Sequence, residues 1–175
     1  MALAHSKIKL EIREISLKKR PKELYAISSK GTVPVLQIKE SFVIDESLDI
    51  MIWALEKSKS NWIQFDLKKQ LDIIYKNDTT FKYWLDRYKY FDRYPEYDKE
   101  YYKKKCGDFL SFLEKKLSTN TFILNGQIGI VDVATFPFIR QCYNVDTLWL
   151  EQSYPNLKIW LRNLITSELF DSIMK

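Results

Sequence analysis

Two short segments carry residue types that can bind a ligand. Val33 and Pro34 precede one apolar run, and Glu46 and Ser47 follow the next. A proline before a strand donates no sheet hydrogen bond. If the Val33–Pro34 peptide bond is cis, Val33 turns its N–H and C=O outward for an extended ligand, as in strand addition. Ser47 at a helix start offers a hydroxyl and an N–H to a carboxylate, and Glu46 offers a charge to an amino group. We therefore predict a ligand with a peptide backbone and an amino-acid head group.

Other catalytic chemistry has little support in the residue types present. A single histidine, His5, cannot build a histidine-rich metal site, and we expect it on the surface at a helix end. Cys106 and Cys142 lack the spacing of a metal or redox motif. Both fall in apolar helical patterns, so we predict two buried, unpaired thiols in a reducing cytoplasm.

The charge and aromatic content leave nucleic-acid binding as the weakest alternative. The net charge is +5, and 15% of the residues are aromatic. Bases can stack on an aromatic surface, but the aromatic residues between Phe81 and Tyr102 are more typical of helix packing. We predict that Lys103, Lys104 and Lys105 form the solvated face of a helix. No apolar run reaches membrane-spanning length and no signal peptide is evident, so we expect no membrane segment.

The elements that position these residues begin with a mixed α/β region. Alternation of Ile8, Leu10 and Ile12 with charged residues predicts a half-buried strand. Arg20 and Pro21 open a short helix. Residues 35–38 and 42–44 predict an antiparallel hairpin, and residues 46–57 predict a helix.

A polar break at residues 57–61 separates this region from an all-helical one. We predict domains at 1–60 and 61–175, the second containing helices over 64–91, 99–117, 129–143 and 155–164. We expect a break near Asn77 in the first of these and a kink at Pro137 in the third.

One helix start in this second domain has a clear signal. Gly129 is the predicted N-cap, and Asp132 reaches back to free backbone N–H groups. Loss of that cap in an Asp132→Ala variant costs about 0.5–2 kcal/mol.

Together these motifs resemble the glutathione transferases, including bacterial members of the omega-like type. The resemblance implies a thioredoxin-like domain followed by an all-helical domain. It implies that Val33 pairs with the cysteinyl part of glutathione beside a cis Pro34, that Glu46 and Ser47 hold the γ-glutamyl group, and that Arg20 holds the glycyl carboxylate. Arg20 and Pro21 stand where omega-like members have Lys-Pro.

The resemblance extends through the helical half. Residues 81–90 are similar to the second helical segment of such transferases and residues 131–141 to their buried central helix, although Gly129 replaces the usual Ser or Thr cap. It implies a homodimer and a pocket for a small electrophilic or disulfide substrate, with Phe81, Trp84 and Tyr88 as candidate wall residues. Packing explains these three residues equally well.

The resemblance departs from the family at the N-terminus. Met1 to Ser6 align with the end of the family's first helix, so its first strand and catalytic turn have no counterpart in residues 1–175. We therefore assign no catalytic residue and expect at most weak glutathione binding. The implied reaction is thiol addition to an electrophile or thiol–disulfide exchange. The alternative is a non-catalytic protein-interaction module of the transferase fold.

Overall fold

The computed structural model describes residues 1–174 and divides into two compact units. One unit comprises residues 2–60, and the other comprises Met1 and the residues from Asn61 onward. Among residues 1–174, no helix combines the length and the apolar character that a membrane span requires.

The first unit is a short α/β arrangement. It contains helices α1 (Ala2–His5), α2 (Lys22–Ile27) and α3 (Ser47–Lys57) and strands β1 (Leu36–Lys39) and β2 (Phe42–Ile44). The strands form the antiparallel hairpin predicted from the sequence, with Leu36 opposite Ile44. Helix α3 buries Ile50, Ala54 and Leu55, whereas Leu48 and Met51, which its apolar pattern predicts on the buried stripe with Leu55, are only half-buried.

The predicted strand over residues 8–12 does not form. Residues 8–15 have no helix, turn or bend, and β1 and β2 make the only sheet among residues 1–174. Ile12 is 79% exposed. A strand needs a neighbour to accept its backbone hydrogen bonds, and this segment has none within the described chain. The prediction of a half-buried strand over residues 8–12 was therefore wrong, although apolar and charged residues do alternate there.

The second unit is helical throughout. Its helices are α4 (Leu67–Lys76), α5 (Lys82–Lys89), α6 (Lys99–Leu117), α7 (Ile130–Val145), α8 (Thr147–Ser153), α9 (Pro155–Ile165) and α10 (Glu168–Ile173). A π-helical segment, Asn77–Phe81, joins α4 to α5 at the place where the sequence predicted a break. The sequence did not predict α8, which begins where the Asp146 side chain accepts the N–H of Trp149.

The start of α7 is held by two side chains from different parts of the unit. Asp132 accepts the Gly129 N–H at 2.9 Å, which confirms the predicted cap. Gln70 of α4 accepts the Val131 N–H at 3.2 Å. A Cβ added at Gly129 would lie 2.3 Å from the Gln70 Oε1 atom. Glycine therefore replaces a Ser or Thr cap here because Gln70 fills the space and supplies the acceptor.

Candidate functional site

The loop before β1 presents unpaired backbone at Val33. The Val33–Pro34 peptide bond is cis, and Val33 is 46% exposed. Neither its N–H nor its C=O bonds to another residue among 1–174. One donor and one acceptor are therefore open to an extended ligand, as in strand addition.

A tight turn before Val33 sets the direction of this loop. The Gly31 N–H donates to the Ser28 carbonyl at 3.1 Å, and Gly31 has a φ of 58°. A Cβ at Gly31 would lie 2.2 Å from Cε1 of Tyr25, whose ring covers the turn. Glycine is thus required both by the left-handed backbone and by the close approach of the ring.

The start of α3 supplies polar groups at the same open end of the hairpin as the Val33 loop, since Leu36 pairs with Ile44. Glu46 is the N-cap residue with extended backbone, and its side chain does not cap the helix. The first N–H groups of a helix have no partner within it and carry a partial positive charge. Ser47, at the first helical position, adds an exposed hydroxyl. This end of α3 can therefore accept an anionic group, with the Glu46 carboxylate beside it.

Lys30, which the sequence alone did not identify as a site residue, already forms an ion pair with the Glu46 carboxylate. Lys30 Nζ lies 2.5 Å from a Glu46 oxygen and 3.0 Å from an Asp45 oxygen. The Ser28 hydroxyl donates to the other Asp45 oxygen at 2.8 Å. We call these four residues, Ser28, Lys30, Asp45 and Glu46, the Lys30 clamp.

The clamp shifts the protonation of its members. Hydrogen bonds to Glu46 and then to Asp45 raise the pKa of Lys30. The Ser28 hydroxyl, followed by Lys30, lowers the pKa of Asp45. All of these charges are exposed enough for water to screen them. A ligand ammonium group can therefore exchange with Lys30 at Glu46 without exposing a buried charge.

Arg20 stands just before α2, which begins after Pro21. Its side chain is exposed and forms no ion pair with residues 1–174. Among residues 1–174, no hydrogen bond or ion pair joins Arg20 to Val33, Glu46 or Ser47, so the guanidinium is free to bind an anionic group.

The helical unit holds no reactive thiol. Cys106 and Cys142 are free and fully buried, as predicted. Contact with Cys142, together with burial, raises the pKa of the Cys106 thiol. Since the thiolate is the nucleophilic form, neither cysteine is placed to react with a substrate. Residues 1–174 also contain no cluster of ligands suited to a metal ion.

The aromatic residues proposed as pocket walls differ in exposure. Phe81 and Tyr88 are 0% and 1% exposed, and the Phe81 ring packs against the Phe109 ring at a centroid distance of 4.9 Å, tilted by 31°. Burial and then Asp146 raise the pKa of Tyr88. Trp84 is half-buried. Helix packing therefore accounts for Phe81 and Tyr88.

Lys103 and His5 are less solvated than the sequence indicated. Lys103 Nζ lies 2.9 Å from an Asp146 oxygen, with only 20% of its side chain exposed. The prediction that it belongs to a solvated face was wrong, because α6 turns this lysine toward the start of α8. His5 is half-buried and contacts the Ser60 hydroxyl at 3.0 Å.

Two family models match the chain. Residues 1–57 match "Glutathione S-transferase, N-terminal domain", and residues 74–168 match "Glutathione S-transferase, C-terminal domain". The chain belongs to the glutathione S-transferase family. Its fold is that of the family, with a thioredoxin-like N-terminal domain that carries a short sheet and an all-helical C-terminal domain.

Individual relatives agree with this assignment. A probable glutathione S-transferase, parA of Nicotiana tabacum, is 29% identical over 96% of this chain and 79% of its own length. A glutathione transferase family member from Pseudomonas fluorescens, solved with two glutathione molecules bound, superposes with a TM-score of 0.83 at 19% identity, over 98% of this chain and 84% of that one. A Gtt2-class transferase of Vibrio parahaemolyticus superposes with a TM-score of 0.75 at 19% identity, over 98% and 88% of the two chains. At these identities the solved structures show a shared fold.

Proposed function

We propose that this glutathione S-transferase-like protein binds glutathione in its N-terminal domain and uses it as the thiol of a transfer reaction. The observation that carries the proposal is the exposed, unpaired backbone of Val33. Glutathione is a tripeptide, so its cysteinyl N–H and C=O match this donor and acceptor. The Pseudomonas fluorescens relative, whose fold the chain shares, was solved with glutathione bound.

Glu46 and Ser47 hold the γ-glutamyl end of the ligand in this proposal. The α-carboxylate accepts hydrogen bonds from the Ser47 hydroxyl and the first N–H groups of α3. The α-ammonium group takes the place of Lys30 at Glu46. Lys30 keeps its second carboxylate, Asp45, at 3.0 Å, so its charge stays paired when glutathione binds.

Arg20 binds the glycyl carboxylate. Its guanidinium has no competing ion pair among residues 1–174. A planar guanidinium binds a carboxylate through two parallel hydrogen bonds, a geometry that a lysine ammonium group does not offer. With Glu46 at the amino end, the site then pairs each charged end of the tripeptide with the opposite charge.

The proposed reaction is thiol addition to a small electrophile or thiol–disulfide exchange, with glutathione supplying the sulfur. Such a reaction needs glutathione as its thiolate. Because Cys106 and Cys142 are buried, no residue of this chain is assigned as nucleophile.

Direct binding tests the proposal most sharply. Glutathione binding is measured by calorimetry for the wild type, Glu46→Gln and the control Glu40→Gln, which changes an exposed carboxylate in the hairpin turn. Loss of a charge-assisted hydrogen bond costs about 1.5–3 kcal/mol, so Glu46→Gln should raise Kd by roughly 10- to 150-fold. Glu40→Gln should leave Kd unchanged. Equal effects of the two variants, or no binding by the wild type, would contradict the proposed site.

A transferase assay on the 175-residue chain separates binding from catalysis. Glutathione binding without turnover, together with a stable complex with another protein, would favour the interaction-module alternative. The burial of both cysteines is the observation that supports this alternative. Robust turnover that is lost in Glu46→Gln would favour the enzyme.

A further inference from the structure

Asp45, at the end of β2, holds the Lys30 clamp together. Its Oδ2 atom accepts a hydrogen bond from the Ser28 hydroxyl at 2.8 Å, and its Oδ1 atom lies 3.0 Å from Lys30 Nζ. Ser28 is buried, so its hydroxyl holds the Asp45 carboxylate in one orientation. Lys30 therefore has a second partner whose position does not depend on Glu46.

The two carboxylates of the clamp hold Lys30 in different surroundings. Lys30 Nζ lies closer to Glu46, at 2.5 Å against 3.0 Å for Asp45. The Glu46 side chain is 62% exposed, however, and the Asp45 side chain only 30%. Water screens the more exposed ion pair more strongly. Glu46 is therefore the partner that Lys30 gives up more easily, and it is also the carboxylate that a ligand reaches more easily.

The charges of the clamp leave one negative charge unbalanced. Lys30 supplies one cation, whereas Asp45 and Glu46 supply two carboxylates. The Ser28 hydroxyl, followed by Lys30, lowers the pKa of Asp45, which favours its ionised form. An entering ammonium group therefore balances the clamp, with Lys30 paired to Asp45 and the ligand paired to Glu46.

We propose that Lys30 competes with the amino group of the ligand for Glu46, and that Asp45 retains Lys30 when that amino group binds. This role of Lys30 rests on the glutathione site proposed above. A ligand without the amino group leaves Lys30 on Glu46, whereas glutathione must displace it. Lys30 and Asp45 thus act as positioning residues. Together they set how far the site distinguishes a ligand with a free amino group from one without it.

Single substitutions of the two residues should change glutathione affinity in opposite directions. Lys30→Met removes the competing cation, so Kd measured by calorimetry should fall about two- to fivefold, the range expected of an exposed ion pair. Asp45→Asn leaves Lys30 with Glu46 alone and should raise Kd by a similar factor, while the amide oxygen still accepts the Ser28 hydroxyl. The charge-matched control is Lys39→Met, which changes an exposed lysine of β1 and should leave Kd unchanged. Circular dichroism checks that each variant is folded.

The double variant separates the retention of Lys30 from a direct attraction between Asp45 and the ligand. If Asp45 acts by retaining Lys30, Asp45→Asn has no effect once residue 30 carries no charge. Lys30→Met/Asp45→Asn should then have the same Kd as Lys30→Met, which a double-mutant cycle measures as coupling between the two residues. An Asp45→Asn effect of equal size in both backgrounds would overturn the role of Asp45.

A glutathione analogue with a glutaryl group in place of the γ-glutamyl group tests the competition itself. Because this analogue has no amino group, it does not displace Lys30, and its Kd should be the same for the wild type and Lys30→Met. If the wild type binds glutathione and Lys30→Met binds it no more tightly, the competition is refuted and the proposed glutathione site remains. Absence of glutathione binding by both proteins would overturn the competition and the proposed site together.

Discussion

Asp132 joins three separate parts of the helical domain, and its replacement should destabilise that domain severely. Its carboxylate accepts hydrogen bonds from the Ile123 N–H at 2.9 Å, the Gly129 N–H at 2.9 Å and the Trp160 Nε1–H at 2.8 Å. The residue is 1% exposed. If the carboxylate is removed, the three donors therefore have no water to accept their hydrogen bonds.

The magnitude follows from the donors that are left without a partner. Each unsatisfied buried donor costs about 1–3 kcal/mol, so Asp132→Ala should lose roughly 3–9 kcal/mol of the free energy of unfolding. That exceeds the 0.5–2 kcal/mol expected of a cap alone. It is a large part of the roughly 5–15 kcal/mol that stabilises a domain.

Asp132→Asn is the informative variant because it keeps the shape. Its amide oxygen can serve the Ile123 and Trp160 donors on one side, while its NH2 group faces the Gly129 N–H. One hydrogen bond is lost, so the cost should be about 1–3 kcal/mol. Urea unfolding followed by circular dichroism measures both variants.

The pH dependence of stability tests the electrostatic part of this reasoning. Burial, opposed by the three donors, raises the pKa of Asp132 from 3.8 to about 6. Because the folded state holds the proton more tightly than the unfolded state, this group's contribution is fully present below pH 3.8 and falls as the pH rises to about 6. A shift from 3.8 to about 6 corresponds to about 3 kcal/mol.

The difference in the free energy of unfolding between the wild type and Asp132→Asn isolates the Asp132 carboxyl group, since all other carboxylates titrate in both proteins. We expect the wild type to lose about 2.5 kcal/mol relative to the variant between pH 4 and pH 7. A difference that is flat or that rises with pH would refute the reasoning. It would mean that the three donors outweigh burial and favour the ionised form.

Three further predictions follow from contacts elsewhere in the chain. Gly31→Ala should lower the free energy of unfolding by at least about 1–2 kcal/mol, because of the left-handed backbone and the close Tyr25 ring. The control Gly126→Ala should not, because nothing lies within 4 Å of its added Cβ. Equal urea midpoints for the two variants would contradict this prediction. Glu114 accepts the N–H groups of Asn156 and Leu157 at the start of α9 at 3.0 and 2.8 Å, so Glu114→Ala should cost about 1–3 kcal/mol in urea unfolding. The exposed Lys115→Ala serves as its control, and a similar loss there would count against the capping role. Cys106 and Cys142 should resist alkylation in the native protein and react in urea, as followed by mass spectrometry, and rapid native labelling would show that they are not buried.

Much of the local structure was predictable from the sequence. The hairpin of β1 and β2, the helices α3, α6 and α9, and the cap of α7 by Asp132 lie where the residue patterns placed them. Each depends on side chains within a few residues of one another, or on the 3.6- and 2-residue periods that decide which face is apolar.

The predictions that failed concern partners distant in the chain. The alternation over residues 8–12 is typical of a strand, but a strand forms only where a second strand accepts its hydrogen bonds. The aromatic and lysine-rich pattern of residues 81–105 did not reveal that Lys103 pairs with Asp146, 43 residues away. Helix α8 has seven residues, too few for a periodic pattern to identify.

The sequence by itself determined which residue types could hold a tripeptide and which local elements carry them. Val33 before Pro34, and Glu46 and Ser47 at a helix start, are properties of short segments. Only the tertiary structure decided that Lys30 reaches across from an earlier loop to Glu46. It also decided that Asp132, which the sequence predicts as a simple helix cap, accepts hydrogen bonds from three buried donors. The physical reason is that a hydrogen bond's strength and a carboxylate's pKa depend on what packs around them, and packing is set by the folded chain rather than by its neighbours in sequence.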